Sequence, residues 1–281
     1  MNSALQIVEK PATDAPSGPV ISFEDVHLGF AEGEVLRGLS FQVAQHETRV
    51  LIGESGTGKT LALKLASGLL QPDSGRVLFS GRDLSRLTED ELFDLRRRIG
   101  FVFQEGALFD SLSVADNVAY RLHEEGQDEE KIEARVNEVL TFVEMSDALD
   151  RMPSDLSGGM RRRVSIARAL ASSPDVVFYD SPTAGLDPVT SQTIITLLLR
   201  LRDTQGVTAL LATHRLQDAF AMANYRFDPK SSRIVPFTKD ETARDIGEIK
   251  FLFLCEGKVY FEGTPQAVLD SPDPYLKKFL V

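Results

Sequence analysis

The chain has 281 residues, 42% of them hydrophobic and 26% charged, with a formal net charge of −11. Such a composition suits a soluble globular domain with a sizeable core, and the acidic balance excludes a nucleic-acid binder that relies on a broad basic surface, though not a local phosphate site. Cys255 is the single cysteine, so no intramolecular disulfide can form and a cytosolic setting is natural. No window approaches the roughly 18 apolar residues of a membrane-spanning helix. The opening "MNSALQIVEKPATDAPSGP" lacks the basic-then-apolar pattern of a secretion signal, so any membrane role is expected to come through a partner.

In chain order, residues 1–19 are rich in Pro, Ala and Ser and are expected to form a flexible tail. A main domain is expected over 20–270. "VISFEDVHLGF" and "LRGLSFQVAQ" read as strands, and "TRVLIGESGTGKTLALKLASGLL" reads as strand, glycine loop and helix. "GRVLFSG" is a short strand. "TEDELFDLRRR" opens on Thr88 and acids and closes on arginines, the charge order of a helix macrodipole. After the strand "IGFVFQ", residues 107–170 read as a mainly helical subdomain. "VVFYD" and "VTALLAT" resemble buried parallel strands, with the helix "VTSQTIITLLLRLRDTQG" between them, closed by Gly206. Residues 226–249 are polar, carry two prolines and read as a surface excursion, either a regulatory contact or an extended turn. "KFLFLCEGKVYFEG" reads as a hairpin turning near Glu256–Gly257, and residues 271–281 as a short amphipathic tail. Strands alternating with helices imply an α/β layer fold, with an antiparallel β portion contributed by the N-terminal strands.

Gly53, Glu54, Ser55, Gly56, Thr57, Gly58, Lys59 and Thr60 fit G-x-x-x-x-G-K-[ST] in full, between a strand and a helix. Glycines let successive backbone N–H groups point at phosphate oxygens, and the helix N-terminus adds a favourable dipole. In such a P-loop the lysine reaches the β and γ phosphates of ATP and the Thr60 hydroxyl ligates Mg²⁺. Asp180, at the end of the apolar run "VVFYD", supplies a carboxylate suited to the same Mg²⁺. "LSGGMRRRVSIARAL" places Ser157, Gly158 and Gly159 at a second anion-binding helix N-terminus. One nucleotide already has its cradle, so a second such site suggests two chains closing head to tail on each other's nucleotide. Arg161–Arg163 read as a solvated helix face without a substrate role.

Over residues 20–280 the order of these motifs resembles the ATP-binding subunits of ABC transporters: Walker A (53–60), a Q-loop at Gln104, the LSGG signature (157–160), Walker B (176–180), a D-loop (184–187) and a switch histidine, His214. The resemblance implies a RecA-like P-loop core and an ATPase using ATP and Mg²⁺. It implies that Phe30 stacks on adenine, that Gln104 touches Mg²⁺ or the attacking water, that Ser157 and Gly159 meet the γ-phosphate of the other subunit, that Asp187 lies across the dimer interface and that His214 contacts the γ-phosphate. The partners implied are a second nucleotide-binding subunit and an integral-membrane permease, which place the chain at the cytoplasmic face of the cell membrane; no nucleic acid is implied. The surface around Gln104–Asp116 is where a permease helix would dock.

"FQEGALFDSLSVADNVAYRL", Met160 in the signature and the ending "SPDPYLKKFL" resemble Mla/Mkl-type lipid-transport ATPases, which work with MlaE-like permeases and MCE proteins. Transport of another substrate, or a mechanical signalling role, are the alternatives. The departure is Ser181, which stands where the family carries a glutamate after the Walker B aspartate. A general base is worth roughly 10²–10⁴ in rate, and a serine hydroxyl has no useful basicity near neutral pH. Three outcomes stay open: slow hydrolysis that relies on positioning by Gln104 and His214, a carboxylate supplied from elsewhere such as Glu105, or a subunit that binds and dimerises beside a competent partner.

Overall fold

The computed structural model describes residues 18–237 and 248–280. The expected N-terminal tail, apart from Gly18 and Pro19, lies outside the described residues, as do residues 238–247 of the polar segment. The elements run β1 (Ile21–Phe30), β2 (Gly33–Val43), β3 (Thr48–Ile52), α1 (Lys59–Ala66), β4 (Ser74–Phe79), β5 (Arg82–Asp83), α2 (Glu89–Arg96), β6 (Ile99–Val102), α3 (Val114–Glu124), α4 (Glu129–Phe142) and α5 (Gly158–Ala171). They continue as β7 (Val176–Asp180), α6 (Pro188–Gln205), β8 (Thr208–Thr213), α7 (Leu216–Asn224), β9 (Tyr225–Asp228), β10 (Arg233–Pro236), β11 (Ile249–Cys255), β12 (Lys258–Gly263), α8 (Pro265–Leu269) and α9 (Pro274–Leu280).

A six-stranded sheet in the order β12-β11-β3-β8-β7-β6 forms the centre. Its strands from β11 to β6 pair in parallel, and β12 returns antiparallel on β11. β3, β7 and β8 are buried along their whole length, which is why they read as unbroken apolar runs instead of alternating ones. Period-2 alternation then sorts their side chains between two cores. Val50, Ile52, Val177, Tyr179, Phe251 and Phe253 face α3–α7. Leu51, Val176, Phe178, Leu210, Leu252 and Leu254 face α1, α2 and a second, antiparallel sheet in the order β2-β1-β4-β5.

Local chemistry sets the helix ends. Thr88 caps α2 reciprocally with Glu91. Gly206 closes α6 in the left-handed region. The β11–β12 turn at Glu256–Gly257 has both residues at positive φ, the primed turn that suits a two-residue hairpin.

Two stretches are more ordered than their polarity suggests. Within the expected surface excursion, β9 and β10 pair as a hairpin. It is tied to α6, because Asp203 accepts from the Phe227 N–H at 2.6 Å and Arg202 donates to the Tyr225 carbonyl at 2.9 Å. The C-terminal segment forms α9, whose Leu276 is buried and whose Phe279 packs edge-on against Phe253. Lys278 pairs with Glu54 of the glycine loop at 2.5 Å.

Arg49 on β3 is fully buried, with Glu47 accepting from its Nε at 2.5 Å, Glu262 from Nη1, and the Gln42 carbonyl at 2.7 Å. Removing one partner of such a pair leaves a buried charge uncompensated, at about 3–5 kcal/mol. Arg49→Ala is therefore expected to lower unfolding stability by that amount, measured as a drop in the denaturant midpoint at unchanged m-value.

Candidate functional site

The C-terminal ends of parallel strands are where ligands collect in α/β sheets. Here the β3 end runs into the glycine loop and α1, the β6 end into Gln104, the β7 end into Asp180 and Ser181, and the β8 end into His214. Ser55, Gly56, Gly58, Lys59, Thr60, Gln104, Ser181 and His214 line one cavity of about 420 Å³, together with Val35 and Leu61. The fold thus brings together residues as distant in sequence as Val35 and His214.

The cradle has the features an anion requires. Gly58 is the N-cap of α1 at φ 97° and offers no side-chain cap, so the first N–H groups of the helix keep their donors for a ligand. A side chain at Gly58 would also strike Leu36, at 2.3 Å. The Lys59 ammonium folds over the loop, donating to the carbonyls of Gly53 at 2.8 Å and Glu54 at 2.7 Å. Thr57 donates to the Glu54 carbonyl at 2.9 Å, which tightens the same turn. Burial lowers the pKa of Lys59, with the Asp180 charge opposing that shift. Burial raises that of Asp180, against the Thr60 hydrogen bond and the Lys59 charge. Each buried charge is thus held at a cost that a phosphate and a cation would relieve.

Thr60 Oγ1 donates to Asp180 Oδ1 at 3.0 Å, which sets one hydroxyl and one carboxylate side by side. Among the described residues no cluster of three His, Cys, Asp or Glu could hold a metal alone. Mg²⁺ fits such a sparse donor set, since it keeps several waters and binds through one or two carboxylates plus substrate phosphates. Thr60 and Asp180 would hold it, with Gln104 nearby on the cavity wall, and it would neutralise charge on the phosphates.

Ser181 sits at φ 47° with its N–H donating to the Ala212 carbonyl at 2.8 Å, so β8 holds it against the cavity. Among the described residues no carboxylate lines the cavity, and Glu105 is exposed outside the lining.

Ser157, Gly158, Gly159, Asp187 and Phe30 lie outside this cavity. Ser157 caps α5 by accepting from the Met160 N–H at 3.3 Å. Gly159 packs so closely on α6 that a Cβ would meet Thr190 at 2.3 Å. Asp187 caps α6, accepting from Val189 and Thr190 N–H at 3.0 Å each. Phe30 ends β1 and is 55% exposed.

Residues 36–184 match the ABC transporter family. The chain is 34% identical to the intermembrane phospholipid transport system ATP-binding protein MlaF of Haemophilus influenzae, over 90% of this chain and 88% of that protein. It is 40% identical to the methionine import ATP-binding protein MetN of Brucella abortus, over 74% of this chain and 56% of that one. Its fold superposes with a TM-score of 0.72 on a dimeric ATP-binding cassette in a post-hydrolysis state bound to ADP and Pi, at 27% identity, covering 87% of this chain and 98% of that one.

The chain belongs to the ABC transporter family. Within this ABC cassette the run Arg161–Arg163 departs from the solvated face that its charge suggested. Arg161 donates to the Leu156 carbonyl at 2.5 Å, and Arg163 reaches Glu144 at 3.1 Å. Arg162 is buried and donates to the Phe103 carbonyl at 2.7 Å. The helical period alone could not reveal this, because the Q-loop that covers α5 is distant in sequence. Val35 and Leu61 were likewise missed as lining residues. Leu61 belongs to the stretch already read as a helix, whereas Val35 precedes the expected strand "LRGLSFQVAQ" and joins β2 only in the structure; the fold alone shows that both face the cavity.

Asp180→Asn removes a carboxylate whose ionised form burial disfavours. The melting temperature without nucleotide is expected to hold or rise. The Mg²⁺-dependent gain on adding ATP, about 2.7 kcal/mol at a hundredfold excess over Kd in the parent chain, is expected to vanish. Thermal unfolding with and without Mg²⁺ and ATP checks both.

Proposed function

We propose that the protein is the ATP-binding and ATP-hydrolysing subunit of a transporter, in which two copies close on ATP and drive a membrane permease. The gathering of the P-loop, Gln104, Ser181 and His214 around one cavity carries this reading. In it, Lys59 and the N–H groups of the loop hold the phosphates, Thr60 and Asp180 hold Mg²⁺, Phe30 stacks on the base, and Gln104 and His214 address the γ-phosphate. Ser157, Gly158 and Gly159 are left to complete the site of a second copy, with Asp187 beside them. The outward Val189, 77% exposed at the start of α6, suits burial in that dimer.

The permease contact is assigned to a groove of about 350 Å³ lined by Leu69, Phe101, Phe103, Phe109, Tyr120 and Arg168, among others. Phe109 and Tyr120 are exposed yet pack on one another, tilted by 41° with ring centroids 4.6 Å apart. They form an apolar patch fit for an amphipathic helix. No helix among the described residues is long and apolar enough to cross a membrane. Phe109→Glu with Tyr120→Glu is expected to abolish co-purification with the permease while ATP affinity stays within about twofold, since neither residue touches the nucleotide cavity.

For cargo, similarity to MlaF over nearly the whole chain favours phospholipid movement with an MlaE-like permease and an MCE protein. Similarity to MetN supports a second reading, import of another substrate. Reconstitution with such a permease and MCE protein tests the first: ATP-dependent transfer of labelled phospholipid between vesicles is expected, and its absence from an assembled, ATP-binding complex overturns it.

Turnover is slow in this proposal because no carboxylate stands among the described residues that line the cavity, and phosphoryl transfer rests on positioning and charge neutralisation. Ser181→Glu is expected to raise kcat by at least about tenfold, toward the roughly 10²–10⁴ that a general base supplies. An unchanged rate in a steady-state phosphate-release assay would show that the missing carboxylate is not limiting.

A further inference from the structure

α5 presents two arginines to one loop. Arg168 donates to the Ala107 carbonyl at 2.7 Å and to the Gly106 carbonyl at 2.9 Å, and its guanidinium lies 5.7 Å from the centre of the Phe109 ring. Six residues earlier, Arg162 donates to the Phe103 carbonyl at 2.7 Å and approaches the Ala184 carbonyl at 3.5 Å. Phe103 immediately precedes Gln104, and the turn between them and Ala107 is closed by the Gly106 N–H bonding to the Phe103 carbonyl at 2.9 Å. Ala184 follows Ser181 within the turn closed by the Ala184 N–H on the Ser181 carbonyl at 3.0 Å. One guanidinium therefore reaches the backbone of two turns, one beside Gln104 and one containing Ser181, both of which line the cavity.

Arg162 is only 5% exposed, and its hydrogen bonds go to backbone carbonyls alone. The carboxylates whose charge it feels are Asp180 and Glu105. A buried cation of this kind is a poor source of stability, because its desolvation offsets what it gains. An uncharged side chain of similar length would fill the space at less cost. What the guanidinium adds is geometry: a planar fork with fixed donor directions can hold two loops at once. The helix carrying it is capped by Ser157, at the end proposed to meet the partner's nucleotide.

We infer that Arg162 is a positioning residue for ATP turnover, holding Gln104 and the Ser181–Ala184 turn in register with the signature end of α5. This rests on reading the cavity as the ATP site. It extends that reading, because with no base beside Ser181 the rate falls to residues that only position, and Gln104 depends on a carbonyl that Arg162 holds. A displacement of about 1 Å at a reacting centre can cost on the order of 10²-fold.

The test compares the full-length parent with Arg162→Met, which keeps bulk and loses every donor, and Arg162→Lys, which keeps the charge and one reach to a carbonyl. For Arg162→Met, kcat is expected to fall roughly 10- to 100-fold, while the Kd of a fluorescent ATP analogue stays within about twofold, since no P-loop contact is lost. Arg162→Lys is expected to recover part of the rate. Amide hydrogen exchange is expected to quicken over 104–107 and 184–187 and to stay unchanged over 54–60. Turnover and exchange equal to the parent's would overturn the inference. So would a loss of ATP affinity that matches the loss of rate, or a lysine variant no better than methionine. Failure of the parent to bind ATP would instead refute the ATP-site reading; the exchange pattern would still report whether Arg162 holds the two loops.

Discussion

The site depends on a hydroxyl and a carboxylate meeting across the sheet. Thr60 lies in the first turn of α1, which follows β3 and the glycine loop, and Asp180 at the end of β7, with β8 between those strands. Their 3.0 Å contact exists because parallel pairing keeps β3, β8 and β7 in step, so that Ile52 lies beside Thr213 and Asp180 beside Ala212. A slip of one residue in either ladder would turn every side chain to the opposite core. The two apolar layers oppose such a slip because each strand feeds both, and that burial is what holds two costly buried charges, Lys59 and Asp180, in place.

The same rule shapes the second half of the machinery. The signature and the D-loop sit on α5 and α6, whose starts press together through Gly159 and Thr190. A side chain larger than hydrogen at 159 would part them. The helix starts are capped within the chain by Ser157 and Asp187, so their ordering does not wait for a nucleotide. They lie outside the lining of the cavity of their own chain, so the proposed mechanism needs a second copy to bring them to a nucleotide.

Much of this was legible in the sequence because the signals were local. The glycine loop, the apolar run ending at Asp180 and the Glu256–Gly257 turn each state their conformation within a few residues. The caps at Thr88 and Gly206 do the same. Reading failed where the partner of a residue was remote. Arg162 looked like one of three solvated charges, and Arg202 gave no hint that it ties down the β9–β10 hairpin. The C-terminal segment looked like a tail, though Leu276 and Phe279 have a core to enter once β11 lies at its place in the sheet.

By itself, the sequence determined the alternation of strands and helices, the glycine loop between β3 and α1, and the apolar run that ends in Asp180 and Ser181, since each is written in contiguous residues whose backbone preferences are local. Only the tertiary structure decided which of these share a cavity, that no carboxylate among the described residues lines it beside Ser181, and that the arginines of α5 grip the Q-loop. Such facts follow from strand order and from long-range burial, which bring together side chains that no short window of sequence contains.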